Sequence, residues 1–222
     1  PVQQAVARKE MGSARWLFFR QVRLALIFGI PIYAGYCFYA EPFIKLWMFD
    51  SEKFPMESVH LAALVLTILA ASNLPTLVDV GAGGLLAAMG HVRLTATLGI
   101  IEAVLNLSLS LFFVLVLGWG LAGIAAGTLV SRILFRFFIL LGFTFQKTGI
   151  QWKTFLWQIF GRAVLVFLFF VGLCLLIQWL LPVVSWGWFF LQIILVLTVY
   201  FPGAFWILVP QSDRQRVYAK GK

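Results

Sequence analysis

Residues 95–145 read TATLGIIEAVLNLSLSLFFVLVLGWGLAGIAAGTLVSRILFRFFILLGFTF. Two long apolar runs meet here at Gly118-Trp119-Gly120. Each is long enough to cross a bilayer, which takes ~20 residues per helix. The break between them is too short for a domain and suits a tight turn between antiparallel helices. The hairpin nevertheless carries Glu102, Asn106, Arg132 and Arg136 inside its apolar runs. A charge at the centre of a membrane costs roughly 2.5–3.5 kcal/mol even on the most lenient insertion scale. Three such groups in one hairpin demand partners or water.

The rest of the chain has the same character. It is 62% hydrophobic and 11% charged, whereas a soluble domain is about 25% charged. These proportions specify an integral membrane protein. The net charge of +9 does not describe a nucleic-acid surface, because the basic residues sit in short segments between apolar runs, as orientation signals do. Cys37 and Cys174 both lie within apolar runs and read as packing residues. The chain starts at Pro1 without Met or a signal peptide, which suggests a piece of a longer protein.

Working outward from the hairpin gives six spans. Residues 1–23, with Arg8, Lys9, Arg15, Arg20 and Arg23 on either side of the Trp16-Leu17-Phe18-Phe19 cluster, read as an amphipathic approach segment at the cytoplasmic face. Span one is residues 24–48, with Gly29 and Pro31 as a kink signal. An acidic loop with Asp50, Glu52 and Glu57 follows and reads as external. Span two, about 59–89, contains Asn73, Pro75, Asp79, Gly81, Gly83 and Gly84, a set that predicts a bent or locally unwound helix. Such backbone survives at membrane depth only against protein or a watery cavity. His91 and Arg93 mark a cytoplasmic turn, and spans three (94–117) and four (121–146) form the hairpin.

Residues 147–153 form a cytoplasmic connector. The stretch from Ala163 to Ser212 holds no charged residue. As one helix it would extend ~75 Å, more than twice a ~30 Å hydrocarbon core, so it divides into a further pair of spans within 154–209. Pro182 and Ser185-Trp186-Gly187-Trp188 mark the turn. The basic tail, 210–222, reads as cytoplasmic. Of the 17 Lys and Arg, only Lys45 and Lys53 fall on the outer side of this arrangement, which places both termini inside. All nine Trp fall near the expected interfaces, as an aromatic belt does. The expected fold class is therefore all-α and polytopic, with a four-helix part at 24–146 and an additional helix pair.

The polar residues at depth are the candidate site. Glu102 and Asn106 lie on one stripe of span three with Thr95, Gly99 and Ser110, at three- and four-residue spacing. Thr128, Arg132 and Arg136 form a stripe on span four. Beside it Gly123, Gly127 and Ser131 make a small-residue face, which with Asn106 reads first as helix packing. Glu102 and Arg136 fall at similar depth, so an ion pair between them is geometrically reasonable; the alternative is that Arg136 snorkels to the inner surface. Arg132 lies one turn deeper and has the poorest route to the surface. It either pairs with Asp79 or Glu102, or contacts an anionic substrate in a wet cavity. Asp79 either takes a proton or a sodium ion, or pairs with an arginine. Asn73 lies in the broken part of span two and joins these as a candidate on the translocation path. His60 and His91 sit at opposite ends of span two and share no metal. No nucleophile motif, phosphate loop or Cys/His cluster appears, so no enzyme activity, metal or cofactor is expected.

Several stretches carry a resemblance. GGLLAAMGHVRL at the end of span two, Glu102 to Asn106, and the small-residue turn from Gly118 to Gly127 ending at Ser131 resemble bacterial polysaccharide flippases. So do Arg20-Gln21-Val22-Arg23, Gly29-Ile30-Pro31 and Ile44-Lys45-Leu46-Trp47. The family is the O-antigen-type branch of the multidrug/oligosaccharidyl-lipid/polysaccharide exporter superfamily, and the likeness is to its C-terminal half. The resemblance implies a partial bundle of a larger two-lobed transporter, with an N-terminal bundle absent here. It implies a lipid-linked (undecaprenyl-diphosphate) oligosaccharide as cargo, the cytoplasmic membrane as location, and glycan polymerase or glycosyltransferases as associates. Two other readings stand beside it. A multidrug/cation antiporter of the same superfamily would show an acidic, aromatic cavity. A non-transporting scaffold for glycan assembly would show every buried charge paired.

Overall fold

The computed structural model describes residues 10–209; the outermost basic residues of the approach segment and the basic tail lie outside that range. The described residues contain six helices long and apolar enough to cross a membrane. They are α1 (Met11–Met48), α2 (Met56–Ala88), α3 (Val92–Leu115), α4 (Gly120–Thr148), α5 (Trp152–Leu180) and α6 (Trp186–Leu208). No β-strand occurs among the described residues. The six helices make this a multi-pass membrane protein, helical through most of its described residues.

The central helix is α1, which contacts α2, α5 and α6. It runs without interruption through Pro31 and Pro42 for 38 residues, about 57 Å at the helical rise. This differs from the expected approach segment. From Met11 onward that segment is simply the first part of α1, and its apolar side is buried in protein rather than laid on a bilayer. Ala14, Phe18 and Val22 are fully buried. Phe18 packs edge-on against Phe145 of α4. A β-carbon at Gly81 would fall 2.9 Å from Phe18 Cδ2, so the bare backbone of α2 is what admits the ring. Arg15 Nε donates to the Thr148 carbonyl at 2.7 Å, supplying a cation where the last carbonyls of α4 lack partners.

The expected break in span two is real, and it is local. Met56–Ala71 (α2a) and Thr76–Ala88 (α2b) are separate helical pieces. Between them the backbone bonds shorten to three residues: Asn73 N–H to Ala70, Leu74 to Ala71, Thr76 to Asn73 and Leu77 to Leu74. Pro75 has no N–H to give. The side chains of Ser72 and Asn73 both return to the Leu69 carbonyl, at 2.7 and 2.8 Å, and so compete with the helical ladder. The glycines 81, 83 and 84, read as breakers, lie within regular helix.

The hairpin α3–α4 turns where the sequence placed it. Gly118 and Gly120 take φ of +67° and +54°, a conformation that favours glycine, while Trp119 stacks on Phe113. The small-residue face of α4 packs on α3. A β-carbon at Gly127 would fall 2.4 Å from Ser110 Oγ and 2.7 Å from Ser110 N, and one at Gly123 would fall 3.1 Å from the Phe113 backbone. Without a hydrophobic drive between helices in lipid, such close approach supplies the association. The opposite side of α3 presents Ile100, Val104, Leu107 and Leu111 outward, as a lipid-facing surface requires.

Two wider stretches interrupt the α-helical register. Ile133–Leu140 in α4 and Leu156–Phe160 in α5 are wound as π-helix. Nothing in the apolar pattern of these residues signals them. The α5–α6 turn is closed by buried Gln192, whose amide donates to the Leu181 carbonyl.

Candidate functional site

The polar candidates come from α2, α3 and α4, and the fold collects them into three contacts. In the first, Arg136 lies between two carboxylates. Its Nη1 is 2.5 Å from Asp79 Oδ2 and its Nε is 2.8 Å from Glu102 Oε2. Asp79 and Glu102 are largely buried, at 14% and 12% exposure, while Arg136 keeps 35%. The expected Glu102–Arg136 pair is present, and Asp79 completes it as a triad across three helices. Two carboxylates thus share one guanidinium. Breaking such a pair leaves an uncompensated charge at depth, which is the expensive outcome.

The second contact belongs to Arg132. Its Nη1 donates to Asn73 Oδ1 at 2.6 Å and to Ser72 Oγ at 3.1 Å. Neither Asp79 nor Glu102 is its partner. Among the described residues Arg132 forms no salt bridge. It is half-buried and stands near the middle of α4, about 18 Å along the helix from Gly120 and about 24 Å from Thr148 by the helical rise. Its acceptors are neutral, so its positive charge is hydrogen-bonded without being neutralised. Ser72, fully buried, was not a candidate in the sequence. The signal that would have found it is its place beside Asn73 and just ahead of Pro75, where short polar side chains take over bonds that the helix gives up.

The third contact is structural. Asn106 Oδ1 lies 3.3 Å from Ser110 Oγ and 3.2 Å from Thr128 Oγ1. Both hydroxyls also reach the Ile124 carbonyl. Asn106 therefore joins α3 to α4 beside the Gly123–Gly127 contact, as a packing residue does.

The site is organised around the π-helical stretch, which begins just after Arg132 and contains Arg136. Wider winding changes the angle between residues four apart. One arginine meets the α2 break, and the other meets α2b and α3. Interruptions of this type recur at functional sites. His60 is remote from this centre. It lies 3.4 Å from Glu41 across α1 and α2a, with both side chains more than half exposed. No group of three or more His, Cys, Asp or Glu suited to a metal occurs among the described residues.

No protein-family model, curated protein or solved structure matches this chain.

Proposed function

We propose that this chain is the C-terminal portion of a flippase that carries lipid-linked oligosaccharide across the cytoplasmic membrane. The observation that carries the reading is the contrast between the two arginines of α4. Arg136 is neutralised twice over by Asp79 and Glu102, as a structural charge is. Arg132, at mid-span, is held only by Asn73 and Ser72. A guanidinium kept charged and unneutralised at depth offers its remaining N–H donors to an anion, and a diphosphate suits that fork. A scaffold would have every buried charge paired, and Arg132 departs from that. A cation antiporter would favour an acidic cavity, whereas here both acids are taken up by Arg136.

The rest of the proposal follows from the resemblance in sequence. The N-terminal bundle of the same protein would supply the other wall of the cavity, with both ends of this chain on the cytoplasmic side. A basic cleft lowers the cost of desolvating the diphosphate while the lipid tail stays in the bilayer.

The test is export in cells carrying the whole protein. Arg132→Ala should accumulate in the membrane near the normal level, abolish surface glycan and cause lipid-linked precursor to build up inside. Arg132→Lys should retain part of the export, since it keeps charge without the planar fork. Normal export by well-expressed Arg132→Ala would refute the reading.

A further inference from the structure

Arg132 bonds to the break between the two halves of α2. Below the break, Leu77, Val78, Ala82, Leu85 and Leu86 of α2b belong to the main hydrophobic core. Above it, α2a contributes Val59 and Ala63 to a smaller cluster with Ala40 and Ile44 of α1, and Phe43 of α1 packs against both clusters. α2a also packs along α1 and against α4, and its side-chain polar ties to α1 are loose. Thr67 Oγ1 and Cys37 Sγ make long bonds to each other's backbone carbonyls, at 3.5 and 3.6 Å, and the Glu41–His60 contact is exposed. The break itself is bridged by short three-residue turns. A helix divided in this way has its point of least resistance to bending where the turns are.

The α2a half also forms one wall of a polar recess of about 630 Å³ between α1, α2a and α5. His60, Leu64 and Thr67 line it from α2a, facing Glu41 and Lys45 of α1 and Gln178 of α5. Movement of α2a about the break therefore changes the width of this recess.

We infer that Arg132 is the pin of this hinge, and that an anion bound to Arg132 releases it. The guanidinium nitrogen that grips Asn73 and Ser72 belongs to the same group that an anion would take. An anion drawing the guanidinium toward itself competes for Nη1 and removes the long-range side-chain hydrogen bonds of Asn73 and Ser72. Occupancy of the centre is thereby converted into freedom of α2a and a change in the recess at the far end. Such coupling is reciprocal, so opening α2a would in turn free Arg132 for the anion. The anion half of this inference rests on the proposed role of Arg132; the pin itself does not.

The experiment uses the full chain in lipid nanodiscs, with Cys37→Ser and Cys174→Ala. Spin labels are placed on exposed Leu61 of α2a and Leu168 of α5, and a control pair on Val80 of α2b and Leu168. Sodium pyrophosphate, free of magnesium, is the probe. Asn73→Ala removes the grip while leaving Arg132 in place. It should add a second population to the Leu61–Leu168 distances and leave Val80–Leu168 unchanged. Pyrophosphate should produce the same second population in the parent chain and no further change in Arg132→Ala. An unaltered Leu61–Leu168 distribution in both Asn73→Ala and Ser72→Ala/Asn73→Ala would overturn the pin. A shift in those variants without any response to pyrophosphate would keep the pin and overturn its release by anions.

Discussion

Arg136 Nη1 stands 2.5 Å from Asp79 Oδ2, and the same guanidinium reaches Glu102. Three helices, α2b, α3 and α4, are thus tied at one point inside the apolar layer. A lone charge at that depth is costly, and a shared one sets the positions of the elements that carry it.

Arg136→Ala should therefore damage folding more than any other single truncation in the site. It strands two carboxylates that are largely buried. Losing one partner of a fully buried pair costs roughly 3–5 kcal/mol, and the exposure of Arg136 lowers that figure. The readout is the folded fraction after detergent extraction, by fluorescence-detected size exclusion. Restoring neutrality with Asp79→Asn and Glu102→Gln should recover much of the loss. Equal yields for Arg136→Ala and the parent would show that the triad contributes nothing.

At the other extreme of exposure, the loop after α1 carries a small pH-dependent element. The Asp50 carboxylate accepts the Lys53 and Glu52 backbone N–H groups, at 3.0 and 2.8 Å. These bonds hold its pKa below the usual carboxylate value. Because the folded pKa is depressed, the stabilisation is present above the ordinary aspartate pKa and is lost as pH falls through the folded value. Protection of the Glu52 and Lys53 amides against exchange should fall at acid pH, so that their exchange slows less than base catalysis alone predicts. Asp50→Ala should exchange these amides near their intrinsic rate at every pH.

How much of this was legible in the sequence depends on the length scale of the physics. Hydropathy over some twenty residues places the six spans and the Gly118–Gly120 turn, because solvent transfer acts on whole segments. Depth alone pairs Glu102 with Arg136. The partner of Arg132 was not legible. Asp79 was as reasonable as any, and only the rotation of α4 about its axis decides. That rotation depends on the π-helical stretch at Ile133–Leu140, whose apolar residues look the same in either winding. The burial of Phe18 and Val22 in protein was hidden likewise, since an apolar stripe does not say whether lipid or Gly81 lies opposite.

The hairpin gives a prediction about close approach. Gly127→Val should weaken the α3–α4 contact, because the new side chain meets the backbone of Ser110. Overpacking of this kind typically costs about 1–3 kcal/mol. Gly99→Ala is the matched control. Nothing lies within 4 Å of a β-carbon there, and alanine suits a helix interior better than glycine. Thermal stability in detergent should fall for the first and hold or rise for the second. A drop of similar size in both would point to general intolerance of α3 and α4 rather than to this contact.

The proposed orientation is checked by accessibility. Single cysteines replacing Ser51 and Ser185 should react with a membrane-impermeant thiol reagent in intact cells, and one replacing Gln151 should not. The motivation is the scarcity of basic residues on the side that carries Ser51 and Ser185. Labelling of Gln151→Cys in sealed cells, with Ser51→Cys silent, would invert the topology.

Arg132→Ala should behave unlike Arg136→Ala in folding, although the two arginines sit one turn apart. Removing Arg136 leaves buried anions behind. Removing Arg132 leaves Ser72 and Asn73, whose side chains keep their own bonds to the Leu69 carbonyl. What they lose is one hydrogen bond each to a charged donor, and such bonds contribute roughly 1.5–3 kcal/mol. Against that loss stands a gain, because a positive charge no longer has to be kept at mid-span. Extraction yield and thermal stability of Arg132→Ala should therefore stay close to the parent. Asp79→Asn should not improve them further, since Asp79 does not contact Arg132 in this fold. A severe folding defect in Arg132→Ala, relieved by Asp79→Asn, would mean that Arg132 neutralises Asp79 in the membrane. The charge offered to an anion would then not exist.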